Sequence, residues 1–263
     1  MRTLTKAENF LVKSLKIRES LYGENHSEVA ACFYNLGELY EQMGNFTKAE
    51  EFYGKSLKSR QILYGDHHSE IATSLMSLGI LYNNMGNLTK AKECFVKSLN
   101  IFQNLYGENN SDVAMSFNNL GGLYLKMRTL TKAEKFLVKS LKIRESLYGE
   151  NHTDVAMSLN NLGALYVTMG SLTKAEEFFD KSLKIYKNLF GENHSEVAAC
   201  FYNLGALYLK MGNLTKAEDF FVKSLKIQNL YRQNNIYVSD SFSSLSFQTM
   251  NNLVTIVFKM LIK

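Results

Sequence analysis

The chain has 263 residues, of which 46% are hydrophobic and 21% charged, and its formal net charge is +5 at pH 7. This amount of apolar material can form a packed core, which excludes a wholly disordered chain. The charge is mild, and lysines and glutamates are interspersed, so composition does not favour a dedicated nucleic-acid binder. The sequence contains no proline, and such a chain can run helix after helix without a forced break.

The compartment is predicted from the apolar residues and the cysteines. The first twenty residues lack a signal-peptide pattern, because charged residues interrupt the apolar ones. The longest apolar stretch, from Leu253 to Ile262, is about half the roughly 20 residues that span a membrane. The chain has an odd number of cysteines, namely Cys32, Cys94 and Cys200, and each lies among apolar neighbours, as reduced core residues do. Together these features predict a cytoplasmic protein.

One phrase organises most of the chain. The sequence Leu-Thr-Lys-Ala-Glu begins at Leu4 and recurs, nearly unchanged, at Phe46, Leu88, Leu130, Leu172 and Leu214. The interval is 42 residues each time, as from 46 to 88. A fixed interval of this length indicates a small structural unit copied in tandem rather than a domain with a single centre.

Each unit is predicted to contain two helices. The apolar residues of the first helix fall at helical spacing; in the first complete copy they are Val29, Phe33, Leu36 and Tyr40. Ser27 is predicted as the N-cap of this helix and Gly44 as its left-handed end. Thr47 and Glu50 have the spacing of a capping box, so the second helix is predicted to begin at Thr47 and to stop at Gly65.

The small and aromatic residues of the unit carry a family resemblance. The pattern Phe33-x-x-Leu36-Gly37-x-x-Tyr40, followed by Ala49-x-x-x-Tyr53, resembles the tetratricopeptide repeat (TPR). This resemblance implies an all-α fold, a TPR alpha-alpha superhelix, which is a solenoid of antiparallel helix pairs. It also implies that Gly37 and Ala49 let the paired helices approach closely.

The longer repeat length narrows the resemblance. The 42-residue unit, with the turn Leu-Tyr-Gly-Glu-Asn-His-Ser-Glu-Val-Ala, is similar to the kinesin light chain type of repeat. Serine or threonine follows the histidine where that type usually carries proline, and its long heptad coiled coil is absent from this sequence. The resemblance therefore supports the repeat type more than a role in motor transport.

The repeat pattern predicts the domain organisation. Residues 1–231 form the array, which opens on an unpaired second helix at 1–22 and continues in five helix pairs at 27–64, 69–106, 111–148, 153–190 and 195–231. Residues 232–263 are predicted to form a degenerate C-terminal helix or tail, and a disordered or amphipathic tail fits them as well. The helix at 1–22 is expected to expose the apolar residues Leu4, Phe10, Leu11 and Leu15. Either the chain is an excerpt of a longer array, or this face pairs with another molecule.

Enzymatic and metal sites are not predicted. No Gly-rich phosphate loop, nucleophile motif or paired-carboxylate site stands out, so we expect neither catalysis nor a cofactor. Histidines or asparagine recur at equivalent turns, at His26, His68, Asn110, His152 and His194. Turns of neighbouring units are expected to lie about 20 Å apart, far beyond metal–ligand bonds of about 2 Å. We interpret these residues as turn or packing residues.

The candidate binding site is a stripe on the first helices, beside the packing residues. In the TPR family this stripe faces a concave groove that binds peptides. The residues predicted to line it are Tyr34, Glu38, Glu41, Met76, Asn83, Asn118, Leu125, Lys126, Asn160, Val167, Tyr202, Leu209 and Lys210. The stripe varies among the copies while the packing positions hardly do, which is typical of a surface freed from packing. Selection for a ligand and simple drift both explain that variation.

The side chains of the stripe suggest how a ligand would be held. Asn118 and Asn160 could bond a peptide backbone, because an amide both donates and accepts. Leu125, Val167 and Leu209 offer an apolar wall, Lys126 and Lys210 could hold an acidic ligand end, and Tyr34 and Tyr202 are candidate anchors.

The sequence therefore predicts a protein–protein interaction scaffold that binds an extended peptide or a partner helix in the groove. Two alternatives remain. The array could be purely structural or could self-associate through its N-terminal helix. The lysine-rich face of the second helices, with Lys48, Lys55 and Lys58, could bind an acidic polymer. Neither a membrane nor nucleic acid is a predicted partner.

Overall fold

The computed structural model describes residues 2–233, which form eleven α-helices and no strand. The helices are α1 Arg2–Tyr22, α2 Ser27–Gln42, α3 Phe46–Tyr64, α4 Ser69–Asn84, α5 Leu88–Tyr106, α6 Ser111–Lys126, α7 Leu130–Tyr148, α8 Thr153–Met169, α9 Leu172–Phe190, α10 Ser195–Lys210 and α11 Leu214–Gln233. The even-numbered helices are the first helices of the repeats. Of the degenerate C-terminal helix or tail predicted at 232–263, residues 234–263 lie outside the described range.

The helices belong to two compact units, Met1–Phe136 and Leu137–Lys263, and the boundary falls within α7. In the first unit α2 packs on α3 and α4 on α5, while α1, α3 and α5 each also contact the helix that follows. In the second unit α8 packs on α9 and α10 on α11, and α9 contacts α10. This consecutive pairing confirms the predicted all-α TPR solenoid fold.

The first helices begin one residue earlier than the sequence suggested. The cap is the residue before Ser27, because the Nδ1 atom of His26 accepts a hydrogen bond of 3.2 Å from the backbone N–H of Glu28. The prediction that Ser27 is the cap is therefore wrong, and Ser27 is the first helical residue. The same cap occurs at His68, Asn110, His152 and His194. The imidazole of His68 also stacks on Tyr64, with ring centroids 4.4 Å apart. Turn roles thus account for these histidines.

These caps predict a graded effect of substitution at His68. His68→Ala removes the acceptor for the Glu70 N–H and is expected to cost about 1 kcal/mol of stability. His68→Asn is expected to cost much less, because Asn110 makes the same cap at 2.8 Å in the next repeat. Urea denaturation followed by circular dichroism measures both changes. An asparagine variant as unstable as the alanine variant would contradict the capping role.

The second helices also begin earlier than predicted. The side chain of Asn45 accepts from the Lys48 N–H at 3.2 Å, and α3 starts at Phe46, so Thr47 is not the cap. The capping box of Thr47 and Glu50 is therefore wrong. Glu50 instead accepts a hydrogen bond of 2.7 Å from the Tyr82 hydroxyl on the next first helix. Glu8 with Tyr40 and Glu176 with Tyr208 repeat this contact. The glutamate of the recurring phrase therefore links successive repeats.

Candidate functional site

The predicted stripe lies on α2, α4 and α6 in the first unit and on α8 and α10 in the second; we call it the first-helix stripe. Its thirteen residues differ in exposure. Glu38, Lys126 and Lys210 are exposed. Nine side chains are half-buried, namely Tyr34, Glu41, Asn83, Asn118, Leu125, Asn160, Val167, Tyr202 and Leu209. Met76 is only 3% exposed.

Neighbouring first helices are joined along this stripe by hydrogen bonds between residues 43 positions apart. In the first unit the Tyr34 and Ser77 hydroxyls lie 2.7 Å apart, and the Asn84 amide donates to Glu41 at 3.1 Å. In the second unit the Asn203 amide donates to Asn160 at 2.9 Å. We call these contacts the 43-residue ladder. The stripe is therefore not freed from packing, as its variation had suggested, because several of its side chains tie one repeat to the next.

Two predicted stripe residues are constrained more than expected. Met76 is buried, and its sulfur accepts a hydrogen bond of 3.0 Å from the Asn119 amide. The prediction that Met76 lies on an open surface is therefore wrong. Lys126 is exposed, but its ammonium donates to the backbone carbonyl of Asn83 at 3.4 Å. Lys210 donates to the carbonyl of Val167 at 2.7 Å in the same way. Each ammonium has three protons, so these lysines can also hold an acidic group.

The most elaborate polar arrangement surrounds Glu41. One carboxylate oxygen accepts from the Tyr53 hydroxyl at 3.0 Å, and the other accepts from Asn84. The Tyr53 ring lies 5.5 Å from that of Tyr34, between centroids. Burial raises the pKa of Glu41, and the negative charge of Glu38 adds to that effect. Burial and the Glu41 charge likewise raise the pKa of Tyr53.

Sequence reasoning missed the role of Tyr53. Its equivalents on the other second helices are Leu11, Phe95, Leu137, Phe179 and Phe221, none of which has a hydroxyl. The sequence did contain a sign of this pair, because Tyr53 is the one tyrosine at its position and occurs in the same repeat as Glu41, the one glutamate at its position. The two residues form a single polar site that the other copies cannot make.

The raised pKa of Glu41 predicts a pH-dependent effect of Glu41→Gln. When the pKa of a carboxyl is higher in the folded than in the unfolded protein, the folded protein becomes less stable as the pH rises from the unfolded pKa to the folded pKa. Glutamine keeps an acceptor for Tyr53 or Asn84 without the charge. The variant is therefore expected to be more stable than the wild type at pH 7, with a gain that disappears below the ordinary carboxyl pKa. Denaturation midpoints at pH 7 and pH 3.5 measure this, and an equal gain at both would contradict it.

Several lysines of the second helices have partners. Lys55 forms an ion pair of 2.6 Å with Glu51, which lies four residues earlier on the same helix. Lys48 donates to the Tyr40 hydroxyl at 3.3 Å and lies 4.6 Å from the centre of that ring. These partners give Lys48 and Lys55 a structural explanation that needs no acidic polymer.

Other kinds of site are not evident in the described part of the chain. Residues 2–233 contain no group of three histidine, cysteine or acidic side chains arranged to hold a metal ion. Within the same residues, no helix combines the length and apolar character needed to cross a bilayer. Cys32 and Cys200 are buried free thiols, and burial raises the pKa of Cys200 to about 12. Such a thiol is a core residue rather than a nucleophile.

Comparison with known proteins assigns the family. The model of the tetratricopeptide repeat family matches residues 1–62, 70–146, 112–187 and 154–229. The chain belongs to the tetratricopeptide repeat family. TPR proteins are generally protein–protein interaction scaffolds and are typically not enzymes. A search of curated proteins finds no match.

Solved structures resemble this one over most of its length. BtubC (BKLC) from P. vanneervenii is 25% identical, with 90% of this chain and 93% of that chain covered and a TM-score of 0.70. A putative kinesin light chain from P. anserina with nearly identical TPR-like repeats is 18% identical, with 77% and 96% covered and a TM-score of 0.64. The apo form of RapI is 17% identical, with 84% and 92% covered and a TM-score of 0.61. The similarity to the second structure accords with the kinesin light chain-like repeat type.

Proposed function

We propose that this TPR chain is an adaptor that binds an extended peptide or a partner helix along the first-helix stripe of either unit. The observation that carries the proposal is the contrast between two adjacent positions. Equivalent positions are numbered here as in the first complete repeat. Position 37 is glycine in all five complete repeats, whereas position 38 is Glu38, Ile80, Gly122, Ala164 or Ala206. The first position is buried against the paired helix, and the second is exposed at four of its five copies.

The row at position 38 is the part of the stripe that packing constrains least. Positions 34 and 41 take part in the 43-residue ladder, as at Tyr34 and Glu41. The row at position 38 lies between them on the same helix face, because residues three and four apart are neighbours on a helix. A ligand on this row would meet variable side chains flanked by ordered polar groups. Such a surface supports selective binding of a polypeptide.

Selection of random peptides tests this proposal. Twelve-residue peptides displayed on phage are selected on the immobilised 263-residue protein. The affinity of each selected peptide is then measured for the wild type and for the double variant Ile80→Arg with Ala206→Arg, in which both changes lie at exposed sites of the row. Binding is expected to weaken by about tenfold or more.

The matched control is Ile62→Arg on α3, where the wild-type side chain is 59% exposed. Its equivalents in other repeats are polar, such as Asn104 and Asn188, so this change should leave both folding and binding intact. Peptides that bind all three proteins equally, or no selected peptides at all, would refute the proposed adaptor function.

The exposed face of α1 favours a second candidate function, self-association. Of the residues expected to be exposed on α1, Phe10 is 72% exposed, Leu4 and Leu11 are half-buried, and Leu15 is buried at 8%, so the expectation for Leu15 is wrong. Ile17 and Leu21 are 60% and 66% exposed. Residues 4–22 recur at 130–148 with a single difference, and there the equivalent Phe136 is stacked 5.4 Å from Tyr124 of a first helix. We propose that a second copy of the chain covers this face of α1.

Analytical ultracentrifugation separates this candidate from the adaptor function. The wild type should form larger species as its concentration rises through the micromolar range. Phe10→Ser with Ile17→Ser should keep the protein monomeric, whereas Ile62→Ser should not. A wild type that is monomeric throughout that range would contradict self-association.

A further inference from the structure

The first-helix stripe changes its chemistry along the first unit. On α2 positions 38 and 41 are Glu38 and Glu41, and on α4 they are Ile80 and Asn83. On α6 position 38 is Gly122, close to the exposed Lys126. We propose that this unit takes an extended peptide whose lysine or arginine lies against Glu38 and Glu41 and whose bulky apolar side chain lies over Gly122. The inference rests on the proposed adaptor function and specifies its ligand.

The α2 end is organised to receive a cation. Glu41 is fixed by Tyr53 and Asn84, and Glu38 is exposed close enough to repel its charge. Within residues 2–233 neither carboxylate forms an ion pair. A bound ammonium or guanidinium would neutralise this repulsion and would form charge-assisted hydrogen bonds with carboxylates already held in place.

Gly122 offers the space for the apolar side chain of the ligand. It lies within α6, where glycine is less favourable than alanine. A Cβ atom built at Gly122 meets nothing within 4 Å, so packing gives no reason for glycine there. At Gly79, by contrast, a Cβ atom would lie 2.5 Å from the Phe95 ring. A bare, exposed stretch of helix backbone permits the close approach of a bulky side chain.

Apolar residues surround this bare stretch. Ile80, at the equivalent position of the adjacent α4, is 37% exposed, and Leu125 on α6 is half-buried. Together with Gly122 they form a shallow apolar seat, in contrast to the acidic chemistry of α2. The opposite characters of the two ends define a direction for the peptide.

The spacing of the helices sets the spacing within the ligand. The 43-residue ladder shows that α2 adjoins α4 and that α4 adjoins α6. Because neighbouring first helices contact each other directly, they lie about 8–10 Å apart and not the roughly 20 Å per repeat expected from the sequence. Glu38 and Gly122 are therefore separated by roughly 16–20 Å. An extended peptide rises about 3.3 Å per residue. The basic and apolar residues should therefore be about five or six positions apart.

A designed peptide panel tests the charge and the spacing. Fluorescein-labelled twelve-residue peptides of glycine and serine carry one arginine and one leucine, separated by two to nine positions. Fluorescence anisotropy with the full chain is expected to show tightest binding at separations of five or six. Replacing the arginine by aspartate should weaken binding by about tenfold or more. Glu38→Gln with Glu41→Gln should cause a similar loss, and Glu51→Gln on the exposed face of α3 should not.

A pair of glycine variants tests the apolar seat. Gly54 lies inside α3, and a Cβ atom there also meets nothing within 4 Å. Gly122→Ala and Gly54→Ala should therefore both raise the Tm, by about 2 °C. Only Gly122→Ala should weaken binding of the best peptide, by about fivefold.

The outcomes separate this inference from the adaptor proposal. Binding that is independent of the separation, equal binding of the aspartate peptides, or unaltered binding by Gly122→Ala would overturn it. Phage selection that yields stripe-dependent acidic peptides would retain the adaptor function and overturn this ligand. A selection that yields no peptide would overturn both.

Discussion

Gly79→Ala is expected to destabilise the protein by about 2 kcal/mol, although alanine is the better helix former. The added Cβ would lie 2.5 Å from the Cε1 atom of Phe95 on the paired helix α5. Phe95 is 1% exposed, so its ring can move aside only by disturbing the core. Overpacking of this kind outweighs the gain of up to about 1 kcal/mol from helix propensity. Urea denaturation followed by circular dichroism measures the net change.

Two comparisons isolate the cause. Gly54→Ala, where a Cβ atom meets open space, should stabilise the protein. Phe95→Leu should relieve the contact, since leucine stands at the equivalent position as Leu137. The double variant Gly79→Ala with Phe95→Leu should thus be more stable than the two single effects summed. Should Gly79→Ala stabilise the protein as Gly54→Ala does, close approach of α4 and α5 would not be what requires glycine.

The helix pairs could be predicted from sequence because their causes are local. Apolar spacing at Val29, Phe33 and Leu36 marks the face of α2, and the glycines end the helices, as Gly44 does with a φ of 72°. The need for a small residue at Gly37 was also predicted, and the structure identifies the Tyr53 ring as what it accommodates, 2.6 Å from an added Cβ. Each of these features depends on one helix and its immediate partner.

The caps were mispredicted because, at the start of each helix, two side chains that can accept a hydrogen bond lie close together in the sequence. Ser27 and Thr47 are good capping residues by type. His26 and Asn45 precede them by one and two positions, and their side chains make the bonds instead. Residue preference alone does not rank a histidine above a serine. The aromatic ring four residues earlier, as at Tyr64 for His68, helps to orient the imidazole.

The site was predicted less completely because it depends on how neighbouring repeats align. An interval of 42 residues identifies equivalent positions, but the hydrogen bonds join residues 43 apart, such as Tyr34 and Ser77. That offset follows from the placement of adjacent first helices, which no single repeat encodes. Burial of Met76 escaped prediction for the same reason. The bond between Tyr53 and Glu41 lies within one repeat, and it escaped prediction because no other copy has both residue types.

Arg60→Ala is expected to cost about 3 kcal/mol, whereas Arg60→Phe should be nearly neutral. Arg60 is 8% exposed, and its guanidinium donates to the Ser74 hydroxyl at 2.7 Å and pairs with the Glu70 carboxylate at 2.7 Å. It also lies 4.9 Å from the centre of the Tyr34 ring. Alanine would leave a cavity between two repeats. Chemical denaturation of the two variants measures the difference.

The phenylalanine variant copies a solution that the chain already contains. Phe102 stands at the equivalent position of α5, where it is 2% exposed. Beside it the Ser116 hydroxyl donates to the carbonyl of Asp112 at 2.8 Å, as Ser74 donates to Glu70 at 2.9 Å. Arg60→Phe therefore leaves no buried donor without an acceptor, and Glu70, whose side chain is 44% exposed, can be solvated.

Equal destabilisation by alanine and phenylalanine would show that the buried charge itself stabilises the junction between these repeats. If phenylalanine is tolerated, the charge of Arg60 is dispensable for folding. The contact of the Arg60 guanidinium with Tyr34 on the first-helix stripe could then serve binding. Peptide binding by Arg60→Phe then becomes informative, because the fold is retained while the cation behind Tyr34 is removed. Stronger binding of basic peptides would follow from the loss of that positive charge beside Tyr34, which connects the packing between repeats to the chemistry of the stripe.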